Sequence, residues 1–139
     1  MAYTIGLKTS RRCEFIDITA QIEKIVKKTG ISCGVCHVFI PHTTAGITVN
    51  ENADHSVQDD ILRALDKLIP QDAGYAHSEG NSDAHIKSSL IGNEKTLVIE
   101  DGRLKLGTWQ GIFFCEFDGP RNRNVWITIE EIKNAGKKI

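Results

Sequence analysis

The sequence predicts an α+β fold with mainly antiparallel sheets, two main helices and one short helix. Two segments, residues 22–26 and 57–69, carry apolar side chains at helical spacing. Several others, among them residues 33–40 and 110–117, concentrate β-branched and aromatic residues as strands do. The connections between the late strands are too short for helical crossovers, so neighbouring strands must run antiparallel.

Residues 3–8 form a first short strand with alternating apolar positions, and residues 14–18 a second. Asp17 or Thr19 can cap the helix that follows. That helix presents Ile22, Ile25 and Val26 on one face, places Lys27 and Lys28 in its last turn, and stops at Gly30. Residues 33–40 are a buried strand ended by Pro41. Residues 45–49 are its successor, which leaves Pro41-His42-Thr43-Thr44 at a tight connection between two strands. Asn52 or Asp54 caps the second helix, whose stripe is Val57, Ile61, Leu62, Leu65, Leu68 and Ile69, with Pro70 at its end. Residues 71–83 are a long polar loop, a length that favours function. Residues 84–91 make the short helix, closed by Gly92. Residues 96–99, 109–117 and 124–132 are strands, with hairpin and turn signals at Asp101-Gly102 and Asp118-Gly119-Pro120. Trp109 is expected in the core, and residues 133–139 as a frayed end. One domain over residues 1–139 follows from the length.

Composition narrows the partners. Apolar residues make up 40% and charged residues 25%, with a formal net charge of −1. That balance suits a soluble domain and lacks the basic excess that binding to nucleic acid or a membrane surface needs. No apolar run reaches the roughly 20 residues of a membrane span, and the N-terminal residues lack a signal core, so a cytoplasmic location is expected. Cys13, Cys33, Cys36 and Cys115 are expected as thiols. Cys33 and Cys36 lie three apart in a strand, face opposite sides, and so cannot bridge or share one metal.

Polar residues gather in four places: 41–52, 77–88, 107–110 and 116–123. In the second, His77, Glu79 and His85 are candidate ligands for a divalent ion such as Mg or Zn, although their spacing fits no standard zinc motif. His42 follows a proline at a strand end, where a rigid sheet can present a catalytic group. His37 and His55 are structural. Arg121 and Arg123 follow a turn and suit a phosphate, with Thr43, Thr44, Lys87 and Ser88 as supplements. Both arginines are expected to be solvated and to add little to stability. Glu116 sits inside an apolar strand and needs a partner if buried, Arg121 or Arg123 being at hand. Gln110 can read the edge of a heterocycle.

Four segments together resemble the YjbQ family: Pro41-His42-Thr43-Thr44-Ala45, Asn50-Glu51-Asn52-Ala53-Asp54, Ala84-His85-Ile86-Lys87-Ser88-Ser89-Leu90 and Gly107-Thr108-Trp109-Gln110-Gly111. The likeness extends over most of the chain. It implies a YjbQ-like fold of antiparallel sheets and a homotrimer with polar pockets near subunit boundaries. It further implies secondary thiamine-phosphate synthase activity, which joins a hydroxymethylpyrimidine diphosphate to a thiazole phosphate and releases pyrophosphate. Departing negative charge would be met by Arg, Lys or a metal ion, and cationic character on carbon by Glu51 or Glu116. His42, Glu51, His85 and Glu116 are the catalytic candidates on this basis. A non-catalytic protein binding a small phosphorylated metabolite, and a metal-dependent hydrolase, are the alternatives.

Overall fold

A computed structural model describes residues 2–133. The expected frayed end lies outside the described residues from position 134 onward. The element order is β1 (Ala2–Lys8), β2 (Glu14–Asp17), α1 (Thr19–Thr29), β3 (Gly34–Phe39), β4 (Ala45–Glu51), α2 (His55–Leu68), α3 (Ser82–Ile91), β5 (Glu94–Glu100), β6 (Arg103–Leu104), β7 (Gln110–Glu116) and β8 (Asn122–Glu131). The strands form a five-stranded sheet, β1-β8-β3-β5-β6, and a three-stranded sheet, β2-β7-β4. Every pairing is antiparallel.

The burial pattern of each strand follows from what covers it. In the five-stranded sheet β8 alternates strictly, with Arg123, Val125, Ile127 and Ile129 inward and Asn124, Trp126 and Thr128 outward. One face therefore meets the core and the other is open. By contrast, β7 is buried at every position from Gly111 to Glu116. Its Ile112 and Phe114 enter the main core with Ile22 and Val26 of α1 and Val38 and Ile127 of the larger sheet. Its Phe113 and Cys115 face the other way, in a second cluster with Ala84 of α3 and Leu65 of α2. A strand covered on both faces reads as a continuous apolar run, which Ile112-Phe113-Phe114-Cys115 is.

Helix ends follow their sequence signals except at the start of α1, where Ile18 holds the N-cap position without a side-chain bond and the Asp17 carboxylate, one residue earlier, accepts from the Thr19 N–H at 2.9 Å. Asp54 caps α2 through the Ser56 N–H at 2.9 Å. Gly30 closes α1 at φ 70°. Asp101 and Gly102 both adopt positive φ, 52° and 73°, as a two-residue β5–β6 hairpin of the primed type requires.

Three expectations change. Trp109 is 63% exposed rather than in the core, because it stands on the turn before β7 and not on the strand. Leu68 is 72% exposed, since α2 turns Val57, Gln58, Ile61, Leu62 and Leu65 toward the fold and Leu68 away from it. α3 begins at Ser82, two residues earlier than its sequence suggests, and what it buries is largely polar: Asp83, Lys87 and Ser88 beside Ala84. The four cysteines are free thiols. Among the described residues no helix is long and apolar enough to cross a membrane.

Candidate functional site

Four segments meet at one end of the smaller sheet. Pro41 ends β3, and the chain crosses to β4 through His42, Thr43 and Thr44. The β7–β8 turn, residues 117–121, lies beside it, tied by the Phe117 N–H to the Thr44 carbonyl at 3.2 Å. The loop before α3 brings His77, Glu79 and Asn81, and α3 itself brings His85. Together they line a cleft of about 500 Å³.

Beneath the cleft lies a buried ion pair. Glu116 is fully buried and Arg123 is 6% exposed. The guanidinium fork donates Nε to Oε2 at 2.8 Å and its NH2 nitrogen to Oε1 at 2.5 Å. The same NH2 nitrogen donates to Thr44 Oγ1 at 2.8 Å. Glu116 also accepts from the Thr9 hydroxyl at 2.9 Å and from the Phe117 and Asp118 N–H groups at 3.1 and 3.0 Å. Burial alone would push this carboxyl up, but Arg123 and these donors hold it below the usual 4.5. The expected Glu116 partner is thus Arg123. Both Glu116 oxygens are occupied by donors of the fold, which ties the β7–β8 turn to Thr9 and to Arg123. Arg123 is not the solvated arginine expected: its strand alternation turns it inward, where Glu116 demands a cation.

Arg121 differs. It is half-exposed, and its Nε and NH2 groups donate to the Asp118 carbonyl and carboxylate at 2.7 and 3.0 Å. Asp118 also accepts from Asn81 Nδ2 at 2.9 Å, which fixes the orientation of that amide. Asn81 Oδ1 is buried without a hydrogen-bond partner. Asn81 and Asp118 line the cleft, yet nothing in a single sequence separates them from ordinary loop residues.

His42 accepts the Asn124 N–H on Nε2 at 2.9 Å. A neutral ring that accepts there carries its proton on Nδ1. Burial, then the positive charge of Arg123, lowers its pKa below 6.5. His42 is therefore a neutral imidazole at physiological pH. His85 is half-buried, and its ring meets His77 edge-on with centroids 5.4 Å apart. His77 Nε2 lies 3.9 Å from Glu79 Oε2. Among the described residues no group of three or more His, Cys, Asp or Glu side chains is arranged to hold a metal ion. His77 and His85 offer two imidazoles side by side, and a third ligand would require side-chain rotation.

Ser88 lines an adjoining depression of about 380 Å³ with His42, Thr43 and His85, and its hydroxyl donates to the Ala45 carbonyl of β4 at 2.6 Å. The remaining candidates lie elsewhere. Lys87 is two residues from His85 on α3, roughly 200° round the helix, so it cannot share the cleft. It is 1% exposed and pairs with Asp66 and Asp83. Glu51 pairs across the ladder with Gln110 at the far end of β4, while Ala45 at the near end pairs with Glu116. Six residues of strand put Glu51 and Gln110 about 20 Å from the cleft within one chain. Gln110 Oε1 accepts the Gly107 N–H at 2.7 Å.

Among the described residues, two antiparallel sheets and three helices, with a histidine- and arginine-lined cleft at the β3–β4 and β7–β8 loops, define a small α+β protein with a ligand-sized polar depression. The chain belongs to the YjbQ/UPF0047 family: the family described as UPF0047 protein YjbQ-like matches residues 3–131. The UPF0047 protein YugU of Bacillus subtilis is 51% identical over 128 residues, 91% of this chain and 97% of that one. A crystal structure of an uncharacterised conserved YjbQ/UPF0047 protein from Clostridium acetobutylicum superposes with a TM-score of 0.91 at 56% identity, covering 92% of this chain and 99% of that one. A protein of unknown function from Sulfolobus solfataricus, described as YbjQ-like, gives 0.89 at 36% identity, over 93% and 95% of the two chains.

Proposed function

We propose that the cleft binds a small phosphorylated metabolite and that the chain acts as a secondary thiamine-phosphate synthase of low activity. The observation that carries this reading is the pairing, in one cleft, of the half-exposed Arg121 with the neutral His42 and the His77–His85 pair. Arg121 can leave the Asp118 carboxylate for a phosphate, which offers the same fork geometry with more charge. The Nδ1–H of His42 and the ring of His85 can hold or pass a proton as pyrophosphate departs. Glu116 and Arg123 contribute by holding Thr44 and the 117–121 turn in place.

A divalent ion would supply further neutralisation of the leaving group; of the two expected, Zn fits the imidazoles of His77 and His85, whereas Mg would need oxygen ligands such as Glu79 and the phosphate itself. The same reading takes the working form as a homotrimer in the cytoplasm. The test is a direct coupling assay with both heterocyclic substrates, comparing the native chain with Arg121→Ala and His85→Ala. Turnover that falls in both variants supports the synthase. A second reading, a non-catalytic binder, is favoured by the internal satisfaction of Glu116, which leaves Glu79 as the carboxylate closest to the histidines. Tight pyrophosphate binding with no coupling in the native chain would decide for it.

A further inference from the structure

α3 carries polar residues on two opposite sides, and the cleft uses only one. On the other, Arg12 donates to the fully buried Asp83 through both nitrogens of its fork, at 2.9 and 3.0 Å. Lys87 lies 3.5 Å from the same carboxylate and 2.5 Å from Asp66 Oδ1. Burial would push the Asp83 carboxyl up, but Arg12 and Lys87 together hold it below the usual 3.8. Beside this network lies a depression of about 490 Å³ lined by Arg11, Arg12, Cys13 and Asp66.

The partners of Lys87 are unequal. Asp83 is fully buried and held by Arg12, whereas the Asp66 side chain is 61% exposed. A buried ammonium is thus capped by a carboxylate that belongs to a different helix and faces solvent. The Asp66 carboxylate can itself rotate into water, but the ammonium it caps is buried, so Asp66 leaves at small cost only where another anion takes its place. Its departure would leave Arg11, Arg12 and Lys87 against Asp83 alone, an excess of two positive charges at the mouth of a depression.

We propose that this depression is a second anion site, in which the Asp66 carboxylate stands in for the phosphate dianion of a small ligand. The phosphate displaces Asp66, engages Lys87 Nζ, and draws on Arg12 and Arg11. Its two charges match the excess that Asp66 leaves behind, which a monocarboxylate would not. The site is separate from the His42–His85 cleft, and its existence does not depend on the synthase reading.

Cys13 gives a local readout, because it lines the depression and lies within the field of Arg12, Asp66, Asp83 and Lys87. In a Cys33→Ser background it is the one remaining cysteine that is not buried. Alkylation of Cys13 by a small maleimide is followed against inorganic phosphate concentration. Phosphate is expected to protect Cys13, with half-protection at about tenfold lower concentration in Asp66→Asn than in the parent, the loss of one competing charged hydrogen bond. Adding Arg11→Ala, an exposed position, should reverse part of that gain. Arg121→Ala should leave protection unchanged, which separates this site from the cleft. Equal phosphate dependence in Asp66→Asn and the parent, or no protection in either, overturns the proposal. So does loss of protection in Arg121→Ala. Acetate protecting as well as phosphate would overturn the assignment to a dianion.

Discussion

Two arginines, two positions apart and alike in sequence, have opposite fates at the residue scale. Arg123 points inward on β8 and neutralises Glu116, while Arg121 stays at the turn and reaches only Asp118. Arg123→Ala is expected to cost about 3–5 kcal/mol of stability, because it leaves a buried carboxylate without its cation. A denaturant midpoint within error of the native one would show that Glu116 finds another partner. Arg121→Ala should leave the melt almost unchanged and weaken pyrophosphate binding by about one to two decades, measured by calorimetry. Arg121→Lys should recover only part of that loss, since the fork is gone. For metal, the double variant His77→Ala with His85→Ala is expected to lose divalent-ion uptake by elemental analysis; unchanged uptake would move the ion elsewhere.

The elements that carry the cleft are held by backbone contacts with little slack. A Cβ on Gly119 would lie 2.2 Å from the Arg11 carbonyl oxygen and 2.9 Å from both Glu116 Cγ and Thr9 Oγ1. Neither the backbone oxygen nor the buried carboxylate can move aside without breaking the β7–β8 turn. Gly119→Ala should therefore destabilise the fold and disorder the Arg121 end of the cleft together, visible as coincident losses in melting temperature and pyrophosphate binding. α3 is fastened to β4 by the hydroxyl of Ser88 on the Ala45 carbonyl. Ser88→Ala leaves that buried acceptor unpaired and should cost about 1–3 kcal/mol, read from denaturant unfolding. α3 escaped a full reading in the sequence because the helical period reveals apolar stripes, and this helix buries an ionic and hydroxylic one.

At the scale of the whole molecule, the buried acids set the pH response. Glu116 and Asp83 have folded pKa values below their ordinary 4.5 and 3.8. Their stabilisation is present above those ordinary values and is lost as pH falls through the lowered ones. His42, also lowered, binds its proton less readily folded than unfolded, so its contribution starts to fall below 6.5. Thermal melts should thus be flat above neutrality, decline slightly below pH 6.5, and drop steeply under about pH 4. In Arg123→Met with Glu116→Leu the steep part should shrink. The open face of the five-stranded sheet carries Trp126, Val98 and Phe39 at 52%, 51% and 37% exposure, with Phe39 and Trp126 stacked at 5.8 Å. Light scattering is expected to return three times the chain mass, and Trp126→Glu to lower it; a monomer mass for the native chain would remove the trimer from the functional reading.

The sequence by itself determined the α+β class, the antiparallel pairing, the positions of α1 and α2 and most of their ends, because apolar period, caps and turn residues act locally. It also marked His42, His77 and His85, which the structure brings to one cleft. Only the tertiary structure decided that Arg123 is the buried partner of Glu116, that Lys87 turns away from His85 toward Asp83 and Asp66, and that Glu51 and Gln110 stand at the other end of the smaller sheet. Those assignments depend on which side chains distant in the chain become neighbours. Arg12 meets Asp83 and Thr9 meets Glu116 across 71 and 107 positions, and for a charged residue it is such a partner, not its own identity, that makes burial tolerable.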